Sequence, residues 1–206
     1  MVLLPLGAPP LLAGSATTLR PVARRIATAF CQPPAALVER SAAMTLPGST
    51  EGRVQSAGTW SDAGVHTVLA DALDRLPGSA LRRSFEWYLC RGAHFHTDAH
   101  YTEVLFGVWY IAGPSVDIVF ARGPLAVAVR PGSIVVFDPF EVHGVLRPGA
   151  LEYRSGDYAT AGTSVFVGFE VEIDAAVRSE FDLSAETGAR LVSSGTRIAA
   201  TTGAFE

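Results

Sequence analysis

The spacing of hydrophobic positions changes once along this chain, near Ser84. Before it, the apolar residues Val65, Val68, Leu69, Ala72, Leu73 and Leu76 follow the i, i+3, i+4 rule. That spacing predicts a helix over Ser61–Leu76, capped by Ser61 and stopped by Pro77-Gly78. A second helix is expected over Pro21–Phe30, and a third just after Pro33-Pro34, since proline suits a first helical turn. After Ser84 the runs are short and rich in Val, Ile, Phe, Tyr and Trp. Phe85–Cys90, Glu103–Ile111, Val116–Phe120, Leu125–Val129, Ser133–Phe137, Val142–Leu146 and Ser164–Ile173 read as strands. Gly113-Pro114, Gly123-Pro124, Pro131-Gly132 and Pro148-Gly149 punctuate them. A short helix from about Ala175 to Phe181 and a mixed tail follow.

Successive strands without intervening helices argue for a jelly-roll barrel or β-sandwich. The expected class is mainly β with N-terminal helices. Residues 1–206 read as one domain: helical support over 1–83, a jelly-roll core over 84–173 and a C-terminal extension over 174–206.

Composition narrows the functions. Hydrophobic residues make up 49% of the 206 positions and charged ones 17%, as a packed globular fold requires. The net charge of −4 gives no electrostatic case for nucleic acid. No apolar run is long enough to span a bilayer, and Met1-Val-Leu-Leu-Pro-Leu6 lacks the basic start of a signal peptide. A cytoplasmic location is the expectation. All sixteen basic residues are Arg, so Schiff-base chemistry on Lys is excluded and a bound carboxylate falls to Arg, hydroxyls or backbone. Cys31 and Cys90 lack zinc-ligand spacing and read as small buried groups or as a pair.

The chemistry concentrates in His94-Phe95-His96-Thr97-Asp98 and in a distant His143. Four of the five histidines lie in or opposite this segment. In extended backbone His94, His96, Asp98 and His100 share one face. Core-like runs flank them on both sides, which suits the mouth of a barrel. A His-x-Asp pair with a third His is the ligand set of a mononuclear non-haem iron site, with one open face for substrate and dioxygen. The spacing also permits His94, His96 and His143, with His100 as a further ligand. Arithmetic alone leaves both sets open. Tyr88, Trp109, Tyr110 and Phe137 are candidate lining residues, and Glu141 is a turn residue or a substrate contact.

Residues 85–173 resemble the double-stranded β-helix core of Fe(II)/2-oxoglutarate-dependent dioxygenases, most nearly the prolyl-hydroxylase-like branch. His96-Thr97-Asp98 matches the family's His-x-Asp. Ile134–Asp138, then His143-Gly144-Val145, resembles the strand and turn that present the distal His, and Ser164–Ile173 the long strand after it. The resemblance implies Fe(II) on His96, Asp98 and His143, 2-oxoglutarate and dioxygen as co-substrates, and oxidation of a small molecule. It also implies a basic clamp early in the last strand, where Thr163-Ser164 stands instead. Arg154, Arg130 and Arg122 are the candidates for that clamp. The same stretch is similar to a cupin, a metal-dependent oxygenase or isomerase that shares the barrel and would use His94, His96 and His143; a metal-free β-barrel binding module is the remaining alternative.

Overall fold

The computed structural model describes residues 1–6, 23–46, 52–98, 100–101, 103–121, 125–183 and 198–204. Its strands, in chain order, are β1 (Val2–Pro5), β2 (Arg25–Phe30), β3 (Gln55–Trp60), β4 (Leu81–Cys90), β5 (Ala93–His96), β6 (Val104–Ala112), β7 (Val116–Phe120), β8 (Leu125–Val129), β9 (Ser133–Phe137), β10 (His143–Leu146) and β11 (Ser164–Glu172). Helices α1 (Ala35–Ala42), α2 (Ala63–Ala72) and α3 (Ala175–Glu180) complete it. The strands form two antiparallel sheets, one in the order β1-β2-β9-β6-β11-β4-β3, the other β5-β10-β7-β8. The fold is thus mainly β, in the manner of a sandwich. No helix among the described residues is long and apolar enough to cross a membrane.

The pleat of the large sheet divides its side chains between two cores. Phe85, Trp87, Leu89, Leu105, Trp109, Val165 and Val167 face the helices. Their neighbours in sequence, Cys90, Phe106, Tyr110 and Phe166, face the small sheet, as does Phe137. Each fully buried aromatic contributes about 1.5–3 kcal/mol of transfer free energy. Both sides of the sheet are therefore strongly specified, and a one-residue slip would exchange them. A third cluster, with Phe95, Leu146, Tyr153 and Tyr158, gathers on β5 and β10 and on the connection that follows β10.

All seven expected strands are present: 116–120, 125–129 and 133–137 coincide fully, and the other four differ by one to four residues at their ends. The N-terminal third departs more. The helix expected over Pro21–Phe30 is replaced over its described part by β2, which pairs with β1 and with β9. Ile26 and Ala27 are both fully buried, one in each core. An Ala- and Arg-rich run favours a helix locally, but only an extended chain can bury adjacent residues on opposite faces. The helix after Pro34 is present as α1, and Arg40 on it lies over the Trp60 and Trp87 rings at 5.6 and 5.4 Å. The cap of α2 is Asp62 rather than Ser61: its Oδ1 accepts from the Val65 amide at 2.9 Å. A carboxylate reaches the N3 amide as readily as a hydroxyl and also meets the positive end of the helix dipole.

Candidate metal centre and cavity

β5 and β10 pair antiparallel with His96 directly opposite His143. Their rings lie 4.5 Å apart between centroids. Asp98 sits two residues beyond the end of β5, and its amide donates to the Pro139 carbonyl at 2.7 Å. That bond ties the loop after β5 to the turn before β10. The turn is itself braced by buried Asp138, whose carboxylate accepts from the Phe140 amide and from the Ala23 amide, both at 2.9 Å.

His96, Asp98 and His143 each offer a ligand atom, all within 4.8 Å of one another. Asp98 Oδ1 is 3.8 Å from His96 Nε2, and Oδ2 is 3.5 Å from His143 Nε2. Neighbouring ligands on a metal with bonds near 2.1 Å lie about 3 Å apart, so small movements close the set. The imidazoles are oriented for it. His96 Nδ1 donates to the His94 carbonyl at 2.6 Å, and His143 Nδ1 donates to the Glu141 carbonyl at 2.9 Å. A carbonyl only accepts, so each Nδ1 carries the hydrogen and each Nε2 keeps its lone pair. Burial, and secondarily the nearby His96, push the His143 ring down to about 3 against a weaker opposing pull from Asp98. His143 is thus neutral at physiological pH, the form in which imidazole binds a metal. The donor set fits a divalent metal on these grounds.

His94 and His100 stand outside this group. The His94 ring packs edge-on against Tyr153 at 4.1 Å, with Gly52 beneath it, where an added Cβ would come within 2.4 Å of the ring. Burial, then His96 and Arg53, lower its pKa. Exposed His100 lies against Tyr101 at 4.1 Å. His66, expected to be a packed or surface residue, bonds the Leu81 carbonyl through Nε2 at 3.0 Å.

The triad opens into a cavity of about 660 Å³ between the sheets, a size suited to a small molecule. Tyr88 and Phe137 line it, as do Phe106, Val108, Ile118 and Phe166. Trp109 instead lies in the helix-facing core and donates to the Cys31 carbonyl at 2.9 Å. Tyr110 is buried between the sheets with its hydroxyl bonded to the Pro114 carbonyl and to Ser164 Oγ. Glu141 is buried and belongs to the turn that holds His143. Both cysteines are free thiols, with Cys90 on the cavity wall.

The expected clamp residues lie elsewhere. Arg154 is exposed and pairs with Glu152 at 3.3 Å. Arg130 is exposed, its guanidinium 5.5 Å from the Phe30 ring centroid. Neither lines the cavity, and Arg122 falls outside the described residues. Among the described residues Arg53 is the arginine that does line it, at the rim beside His94. It comes from the lead-in to β3, a strand the sequence pattern does not announce because Gln55-Ser56-Ala57-Gly58 carries no apolar alternation.

No family model matches the chain, and no curated protein matches it. A solved structure of a prolyl 4-hydroxylase from Phytophthora capsici aligns with it at 18% identity and a TM-score of 0.34, over 59% of this chain. The chain spans 49% of that protein's length. A likeness this distant carries no weight for activity.

Proposed function

We propose that this chain is a mononuclear Fe(II)-dependent oxygenase that oxidises a small molecule, with 2-oxoglutarate as co-substrate. The observation that carries the reading is the triad His96, Asp98 and His143, with both Nε2 lone pairs free and an apolar cavity beside it. The strand order supports a double-stranded β-helix: β4, β11, β6 and β9 lie in one sheet and β5, β10, β7 and β8 in the other, with the triad at the mouth. Two imidazoles and one carboxylate leave half of an octahedron open and suit a redox-active Fe(II).

His96 and His143 would hold the metal through Nε2, while their Nδ1–H bonds to main-chain carbonyls fix the ring planes. Asp98 contributes the negative charge, and its amide bond to Pro139 keeps it against the turn that carries His143. Iron would supply dioxygen activation, and the 2-oxo acid the two further electrons. Phe106, Phe137, Val108 and Ile118 give the cavity interior an apolar lining that disfavours water beside the triad. Arg53, which lines the cavity at its rim, would meet the distal carboxylate of a dianion through the charge-assisted bonds such a group requires. The test is anaerobic reconstitution with Fe(II), followed by oxygen consumption with and without 2-oxoglutarate. The reading expects one iron per chain and uptake that depends on both. A protein that takes up no divalent metal would sink it.

A further inference from the structure

Glu86 lines the cavity from β4, on the same face as Tyr88, and takes no part in the metal reading. Its Oε2 accepts from the Tyr88 hydroxyl at 2.8 Å, and its Oε1 from Ser56 Oγ. The Tyr88 hydroxyl also meets that of Tyr101 at 2.9 Å. All these partners are neutral, and among the described residues no Arg or His pairs with Glu86. Arg82, on the same strand, is held by Glu170 and Glu172 at 2.5 and 3.1 Å. A carboxylate with hydroxyl partners alone keeps its charge directed at whatever enters.

Aromatic rings surround that charge. Phe106 stacks with Tyr101 at 5.2 Å and 17°, and meets Tyr88 at 5.8 Å and 77°. The ring planes thus form two walls nearly at right angles, and all three rings line the cavity. Ring faces are negative, so a carboxylate joined to perpendicular aromatic walls attracts a cation and repels an anion. The remaining wall, with Val108 and Ile118, takes apolar mass. Arg53 and Ser56 are three residues apart, at most about 11 Å of extended chain, so the cavity carries a cationic corner at one point and an anionic one nearby.

We propose that the Glu86–Tyr88–Tyr101–Phe106 corner binds the ammonium group of a small organic cation, and that the substrate of the metal centre bears that group. The second clause rests on the oxygenase reading; the first stands without it.

The test uses a matched pair of probes, choline and its neutral isostere 3,3-dimethylbutan-1-ol, titrated calorimetrically into metal-free and Mn(II)-loaded protein without oxygen. Choline is expected to bind at least about tenfold more tightly than the isostere in both forms. Glu86→Gln should bring the two affinities together while leaving Mn(II) affinity unchanged. If that variant does not fold, Glu86→Asp, which withdraws the carboxylate by one carbon, should weaken choline and not the isostere. Equal affinities in the native protein, or a preference that survives Glu86→Gln, overturn the proposal. A cation preference in protein that fails to take up Mn(II) keeps the ammonium corner and removes the oxygenase reading instead.

Discussion

His96 and His143 are ladder partners across β5 and β10, so one antiparallel register sets both imidazoles on the same rim of the cavity. Asp98 then needs only the two residues past the end of β5 to reach them. A backbone pairing, rather than a loop conformation, fixes the spacing of two of the three candidate ligands.

This makes the identity of the third ligand testable. Asp98→Ala should lower Fe(II) or Mn(II) affinity by about a hundredfold or more, since even outer groups around a metal are worth 10–100-fold. His94→Ala should leave affinity nearly unchanged, because that ring packs on Tyr153 and Gly52. Metal dissociation constants read from Mn(II) spin-resonance titrations distinguish the two. The reverse pattern would transfer the site to the three-histidine set.

Arg53→Gln should weaken 2-oxoglutarate binding about tenfold, the loss of one charge-assisted hydrogen bond. Arg154→Gln and Arg130→Gln should have no effect, since neither side chain lines the cavity. Anaerobic calorimetry on the metal-loaded protein measures all three, and a dominant effect at Arg154 or Arg130 would count against the rim assignment.

Burial, opposed by a weaker hydrogen bond to the Gly92 backbone, pushes the Cys90 thiol from 9.0 up to about 12. The unfolded chain therefore releases this proton first as pH rises. The associated stability is complete below pH 9 and is lost between 9 and about 12. At pH 10 the loss is about 1.4 kcal/mol relative to pH 8. Urea unfolding at the two pH values should show it in the native protein, and Cys90→Val should abolish that part of the difference.

Gly168 on β11 lies under the Tyr88 ring, where a Cβ would sit 2.3 Å from the ring edge and 3.1 Å from Phe106. Gly168→Ala must displace Tyr88, at a cost of about 1–3 kcal/mol. The same displacement should break the Tyr88 contacts with Glu86 and Tyr101. A lower urea midpoint together with reduced choline affinity is the expected result; unaltered values in both would show that the ring moves freely.

The strand-rich half after Ser84 was legible because its strands bury alternate residues in two layers, leaving Val108-Trp109-Tyr110-Ile111 and Ile134–Phe137 apolar throughout. β1, β2 and β3 were not. They join the two ends of the large sheet; Ala, Ser, Thr and Gly in β2 and β3 carry little burial signal, and β1 is only four residues long. The triad was legible as residue types, but the choice between His94 and Asp98 was not. It depends on where the chain turns after β5 and on a glycine in a distant segment packing beneath the His94 ring. Glu86 and Tyr88 share a face by parity, yet Tyr101 joins them only through the loop that follows Asp98. Arg53 was not legible as a rim residue, because the resemblance directs the basic clamp to positions after Phe120, whereas the rim is completed by the segment before β3.

The bond from the Ala23 amide to Asp138 has a kinetic meaning. It spans 115 residues and ends in the turn that positions His143. Contacts so distant in sequence form late, after the cost of closing the intervening chain has been met by other pairings. The turn acquires its brace only once the segment before β2 has docked, so metal capture should be among the last events of refolding and should register partly assembled chains by their failure to take up the ion.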